Sequence, residues 1–225
     1  MPMPTLGRDA DVFVLDLGDT ENRFHPDWLV AVNGLLDEVE GADGPKALVT
    51  TATGKFFSNG LDLDWLFAHG DQAGSYVESV QTLFARVLTL PFVTVAALQG
   101  HTYAAGAMLS LTHDFRIMRA DRGFWCLPEA EINIPFTTGM SALIQSRLTA
   151  RTAHEAMVTA HRYGGVDAHA AGIVDATADE AGLRQAAIEL ARPHAAKAGR
   201  TVGTIKERMY ATALEALREK DVPLG

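Results

Sequence analysis

Residues Thr102–Asp114 read TYAAGAMLSLTHD. The first half of this stretch is small and apolar, carries no obvious acid, base or nucleophile, and follows the apolar run FVTVAAL (Phe92–Leu98) and Gly100. The first N–H groups of a helix have no intrahelical partner, and the helix dipole adds positive potential there. A strand that gives way to a helix through Ala and Gly therefore lets a ligand approach backbone donors. A second stretch has the same design: KFFSNGLDLDWL (Lys55–Leu66) follows KALVTTA (Lys46–Ala52). Tight packing alone also explains small residues after a strand, so the pair of segments acquires meaning only from what surrounds it.

Outward from these segments, β-like runs alternate with helical ones. DVFVLDL (Asp11–Leu17) precedes PDWLVAVNGLLDEVE (Pro26–Glu40), where Trp28, Leu29, Val32, Leu35, Leu36 and Val39 recur at helical spacing and Pro26 suits a first turn. A helix is predicted over about Ser75–Leu88, ending before Pro91, and another near Met140–Leu148. DFRIMRA (Asp114–Ala120) is a strand candidate, and GFWCLPEAEINIPF (Gly123–Phe136) reads as irregular. Strands separated by helices define an α/β class. No linker, repeat or low-complexity segment divides the chain, so residues 1–195 are expected to form one core domain. Residues 196–225 form a C-terminal helical segment, with a helix over Thr201–Lys220 whose Ile205, Met209, Leu214 and Leu217 pack on the domain or on another subunit.

The chain has 225 residues, 48% of them hydrophobic, which is enough for a large buried core. A net charge of −9 argues against general nucleic-acid binding. The single cysteine, Cys126, excludes an internal disulfide and reads as a small buried hydrophobe. The N-terminal MPMPTLGRDADV lacks a signal peptide's apolar core, no apolar run approaches the roughly 20 residues of a membrane span, and the terminal DVPLG is not a peroxisomal address. A cytoplasmic protein is the expectation.

Common catalytic patterns are absent. There is no G-x-G-x-x-G, Walker loop, C-x-x-C, H-E-x-x-H or G-x-S-x-G. Ser58, Ser110 and Ser141 thus read as ordinary polar residues. His113 and Asp114 are adjacent, cannot face each other on a helix, and read as structural.

Four segments in order, FFSNGLDL, GHTYAAGAMLSLTHDFRIM, LPEAEINIPF and YGGVDAHAAGIVDA (Tyr163–Ala176), resemble the crotonase superfamily, the enoyl-CoA hydratase/isomerase family, over roughly Val12–Ala176. The resemblance implies a crotonase-like ββα superhelix with a C-terminal helical trimerisation region, and a homotrimer or dimer of trimers. It implies an acyl-CoA thioester as substrate and no metal or redox cofactor, while the charge balance and the lack of a long apolar run give the expectation of no nucleic-acid or membrane partner. The oxyanion hole falls on the N–H groups of Leu61 and Ala105, the latter standing where the family commonly has glycine.

The same resemblance separates the reactions. Hydratases of the family carry two glutamates; here the first position is Met108, which can neither take nor give a proton, and the second is Glu129, four residues before Asn133. One carboxyl without a partner acid resembles the Δ3,Δ2-enoyl-CoA isomerase branch, in which a single group removes the α-proton and returns it at the γ-carbon. Glu131 is the competing residue, since positions two apart in an extended segment point the same way. Burial of Glu129 among Phe124, Trp125, Leu127, Ile132 and Phe136 is expected to raise its pKa. Substrate-binding candidates are Ser58, Gly60, Asp62, Gly106, Met108 and Phe136, with Lys55, Lys206 and Arg208 as cations for coenzyme A phosphates. Trp65, Phe67 and Tyr76 line an acyl tunnel or belong to the core. The alternatives are another crotonase-type reaction (hydratase, thioester hydrolase or dehalogenase), or a non-catalytic acyl-CoA binder, for which Asn133 would be a sign of drift.

Overall fold

The structure is a computed structural model that describes residues 3–219; Lys220 of the expected terminal helix and the DVPLG end lie outside these residues. The chain opens with strands β1 (Thr5–Asp9) and β2 (Val12–Asp16), helix α1 (Pro26–Gly41), strands β3 (Ala47–Thr51) and β4 (Phe56–Ser58), and helices α2 (Leu63–Ala68) and α3 (Ala73–Leu88). It continues through β5 (Thr94–Leu98), β6 (His101–Tyr103), α4 (Ala105–Thr112), β7 (Phe115–Arg119), β8 (Trp125–Cys126) and the one-turn helix α5 (Glu129–Ile132). Then follow α6 (Thr138–Arg147), α7 (Ala150–Thr159), α8 (Gly165–Ala170), β9 (Ala176–Ala178), α9 (Leu183–Ala191), α10 (Arg200–Met209) and α11 (Ala211–Leu217).

Two sheets are interleaved along the sequence. The larger has the order β1-β2-β3-β5-β7-β9 and the smaller β4-β6-β8. Three successive passes, β3–β4, β5–β6 and β7–β8, each place one strand in the larger sheet and the next in the smaller before a helix returns the chain. This is the ββα superhelix. Between the described strands all pairings are parallel except β1 with β2, joined by a tight turn with Ala10 at φ 52°.

A parallel sheet covered on both faces requires apolar residues at consecutive positions, and β3 and β5 are buried throughout. Val12, Val14, Val49, Val95 and Ile117 face Leu183, Ala187 and Ile188 of α9. Their neighbours Phe13, Leu15, Leu48, Ala96 and Met118 face the larger core formed with α1, α3 and α4. The predicted terminal helix is in fact two, broken at buried Tyr210, and α11 packs within the chain on α6 and α3. Leu214 and Leu217 are buried accordingly, whereas Ile205 and Met209 of α10 are exposed. Among the described residues no helix is long and apolar enough to cross a membrane.

Candidate active site

The two small-residue segments meet. A Cβ added to Gly60 would stand 2.8 Å from the Ala105 nitrogen, and one added to Gly106 would stand 2.6 Å from the Ser58 carbonyl oxygen. Gly60 also has φ +84°, a conformation that favours glycine. Gly60 and Gly106 therefore let β4 and the start of α4 touch backbone to backbone. Ser58 is fully buried behind this contact: its hydroxyl donates to the Asn22 carbonyl at 2.8 Å and accepts from the Gly60 N–H at 3.1 Å. Asn22 in turn donates to the Phe57 carbonyl at 3.0 Å. Ser58 and Gly106 are supports of the site, not surfaces for a substrate, which corrects their reading as binding residues.

Ala104 turns the chain from β6 into α4 at φ 50°, ψ −126°, so that Ala105 begins the helix. Its own N–H donates to the Cys126 carbonyl at 3.0 Å, while the N–H groups of Leu61 and Ala105 have no hydrogen-bond partner among the described residues. Asp62 is used locally. Its carboxylate caps α2 by accepting from the Trp65 N–H at 3.2 Å, and its own N–H donates to the Tyr76 hydroxyl at 2.9 Å.

Glu129 approaches from the third pass. The segment expected to be extended is a single helical turn, closed by Asn133 in the left-handed conformation at φ 56°. Asparagine is one of the few residues that take this conformation readily, so Asn133 is no sign of drift. Residues two apart on a helical turn point to opposite sides, and the two glutamates separate. Glu129 is 7% exposed, whereas Glu131 is exposed and paired with Arg162 at 2.9 Å.

Glu129, Leu61, Ala105 and Met108 line one cavity of about 410 Å³, together with Pro128, Ile134 and Met140. The expected aromatic enclosure of Glu129 is corrected: Phe124 is exposed and Trp125 is turned into the core, its indole donating to Ser110 at 3.1 Å. Phe136 is absent from this cavity but lines an adjoining groove that Glu129 also lines, with Ser141 and Met157. One carboxylate oxygen of Glu129, Oε2, is buried without a hydrogen-bond partner among the described residues. Burial pushes the Glu129 carboxyl up to about 7. The site thus holds a carboxyl of raised proton affinity, two backbone N–H groups unpaired among the described residues, and the side chain of Met108.

The cation candidates fare differently. Lys206 is buried, its ammonium donating to Asp114 at 2.6 Å and to the Phe92 carbonyl at 2.7 Å, so its assignment to a phosphate is corrected. Lys55 is exposed at the start of β4, over the Phe56 ring, and Arg208 is exposed on α10; neither lines the cavity. Of the tunnel aromatics only Phe67 lines it. Trp65 stacks on His69, and Tyr76 is buried behind Asp62.

His113 is fully buried, Nδ1 donating to the Leu109 carbonyl and Nε2 accepting from Thr50, and burial lowers its pKa to about 4. Burial likewise raises Cys126 to about 11. Both are structural. Arg23, Asn59 and Tyr103 line the cavity without having been anticipated. The polar ENRF run after β2 was the available signal for Arg23. Among the described residues no three His, Cys, Asp or Glu side chains converge as a metal site.

A structure in which three strand–strand–helix passes bring two free N–H groups and a buried carboxyl to one cavity is of the crotonase class. The sequence profile of the enoyl-CoA hydratase/isomerase family matches residues 9–221, and the chain belongs to that family. It is 37% identical over 221 residues to enoyl-CoA delta isomerase 2, peroxisomal, of Arabidopsis thaliana, covering 92% of each chain. It is also 37% identical to enoyl-CoA delta isomerase 3 of the same plant, again over 92% of each. Among solved structures, a Mycobacterium tuberculosis enoyl-CoA isomerase superposes with a TM-score of 0.88 at 28% identity, covering 96% of this chain and 94% of that one.

Proposed function

We propose that this chain is an enoyl-CoA delta isomerase that moves the double bond of a 3-enoyl-CoA thioester to the conjugated 2-position. The observation that carries the reading is the buried Glu129 carboxyl, whose Oε2 has no hydrogen-bond partner among the described residues, sharing a cavity with the N–H groups of Leu61 and Ala105, which are likewise unpaired, and with Met108 in place of a second acid. The thioester oxygen sits between the two N–H groups. Glu129 takes a proton from the α-carbon, the electrons pass into the thioester oxygen, and the resulting dienolate is held by the donors. Protonation at the γ-carbon by the same carboxyl yields the conjugated product and restores the base. Each N–H donor is worth about 10² to 10³ in rate. Every step uses groups of this chain and calls for no metal or redox cofactor.

Hydration is disfavoured at this site because a water would need one group to activate it and another to deliver a proton. A non-catalytic binder would have no use for a buried carboxylate whose desolvation lowers stability. The test is ultraviolet absorbance of the conjugated thioester formed from 3-hexenoyl-CoA. Glu129→Gln is expected to lower kcat by at least about 10³ with the fold retained, and Glu131→Gln to leave it near wild type. Loss on Glu131→Gln instead would reject the assignment.

The reading extends to a homotrimer or a dimer of trimers. The exposed Ile205 and Met209 of α10 supply apolar surface for a neighbouring copy. Light scattering is expected to give a multiple of three subunits, and a monomer would remove this part of the proposal.

A further inference from the structure

The two backbone donors are held in place by different means. Ala105 opens α4, and the Ala104 carbonyl accepts from the Met108 N–H at 3.0 Å, so the peptide that carries the Ala105 N–H is locked by the helix itself. The Leu61 N–H belongs to no helix, because α2 begins at Leu63 with Asp62 as its cap. Gly60 precedes it at φ +84°, and glycine permits rotations that other residues resist. Groups outside the turn must therefore fix this donor.

Three contacts do so. The Gly60 carbonyl accepts from the Phe24 N–H at 2.9 Å. The C=O and N–H of a planar trans peptide point in opposite directions, so this bond aims the Leu61 N–H away from Phe24. It also polarises the peptide, which strengthens the N–H as a donor. The N–H groups on either side of Leu61 are both taken, that of Gly60 by the Ser58 hydroxyl at 3.1 Å and that of Asp62 by the Tyr76 hydroxyl at 2.9 Å. Tyr76 reaches this point from α3, buried, with its ring packed against Trp65 at a centroid distance of 5.0 Å, and it does not line the cavity. Burial raises the pKa of its phenol, so the acceptor is the neutral hydroxyl.

We propose that Tyr76 is a positioning residue for the reaction: its hydroxyl, by pairing with the Asp62 N–H, fixes the turn whose middle amide, Leu61, holds the thioester oxygen. Tyr76 touches neither substrate nor reacting atoms. The inference rests on the isomerase reading above and deepens it, because the donor pair is then one amide locked by a helix and one braced from α3. A misplaced donor weakens the transition state more than the ground state, since negative charge develops on the oxygen only as the proton leaves.

Tyr76→Phe keeps the ring and removes only the hydroxyl. In the conversion of 3-hexenoyl-CoA it is expected to lower kcat about tenfold, part of what loss of a whole donor costs, and to change KM less than about twofold. The hydrogen bond itself is read by NMR on saturated hexanoyl-CoA labelled with carbon-13 at the thioester carbonyl. Binding to the wild type should move this resonance downfield of the free ligand, and Tyr76→Phe should lose a measurable part of the displacement. Ser58→Ala, which loosens the same turn at Gly60, is expected to show both changes. Tyr163→Phe removes another buried tyrosine's hydrogen bond, to Glu155 at 3.0 Å and outside the cavity lining, and should show neither. Unchanged kcat in Tyr76→Phe overturns the proposal. So does a loss of kcat that Tyr163→Phe matches, or one that leaves the carbonyl resonance at its wild-type position, since either marks a structural role alone. A wild type that leaves the hexanoyl-CoA carbonyl unmoved, or does not bind it, overturns the oxyanion reading on which the proposal stands, a result distinct from a wild-type displacement that Tyr76→Phe preserves.

Discussion

Glu129 is the residue on which the proposed chemistry turns, and its environment sets two measurable pH dependences. Its folded pKa of about 7 lies above the ordinary 4.5 because burial penalises the charged form. Proton abstraction needs the ionised form, so kcat/KM should fall about tenfold per pH unit below pH 7 and level off above it. Stability runs the other way. A carboxyl with a raised folded pKa binds its proton more tightly in the native state, so stability is greatest below pH 4.5 and is lost as pH rises through 7. Glu129→Gln removes this penalty, which corresponds to about 3 kcal/mol at most above pH 7. Urea midpoints should show the variant gaining on the wild type between pH 4.5 and 8. A constant difference across that range would mean that Glu129 titrates normally. The identity of this base was legible in LPEAEINIPF only through the family resemblance, since spacing alone left Glu131 equally placed. A helical turn where an extended segment was predicted is what separates the two, and Asn133 in the left-handed region was the available hint.

At the scale of elements, the proposed oxyanion site depends on a strand–turn–helix junction made twice and pressed together. The small residues of SNG and AAGA made this legible, because backbone donors can be approached only where side chains are absent. Which small residue carries the unusual backbone was not legible. It is Ala104, at φ 50° and ψ −126°, rather than Ala105, whose N–H is the proposed donor. An alanine in that conformation is strained by about 1 to 3 kcal/mol, against about 0.4 to 1 kcal/mol for the extra freedom glycine has when unfolded. Ala104→Gly should therefore stabilise the protein by about 1 kcal/mol in urea titration and retain activity, since the turn that presents Ala105 is unchanged. A loss of stability would mean that the Ala104 methyl contributes packing that outweighs the strain. The short strands β6 and β8 escaped the sequence reading for a related reason. With three and two residues they have no periodicity, and their existence follows from pairing with β4 across the small sheet.

Over the whole molecule, hydrophobic patterning foretold the large sheet and the helices α1, α3 and α6, because a core buried on both faces needs continuous apolar strands and one-sided helices. Charges were read less well. Lys206 lies on an amphipathic terminal helix and resembles a surface cation in sequence. The packing of α10 against the segment before β5 instead buries it with Asp114, 92 residues away. No local pattern announces a partner at that separation. Arg23 presents the converse case, a residue in a polar loop that tertiary structure brings to the mouth of the cavity.

The central claim is that one buried carboxyl both removes and returns the proton. The most direct test is to convert 3-hexenoyl-CoA deuterated at the α-carbon in ordinary water and to locate the label in the product by mass spectrometry and NMR. Because Glu129 is shielded from solvent, a measurable share of the product should carry deuterium at the γ-carbon. Product formed with no label at that carbon, or a hydrated product in place of the conjugated thioester, would contradict the single-carboxyl shuttle.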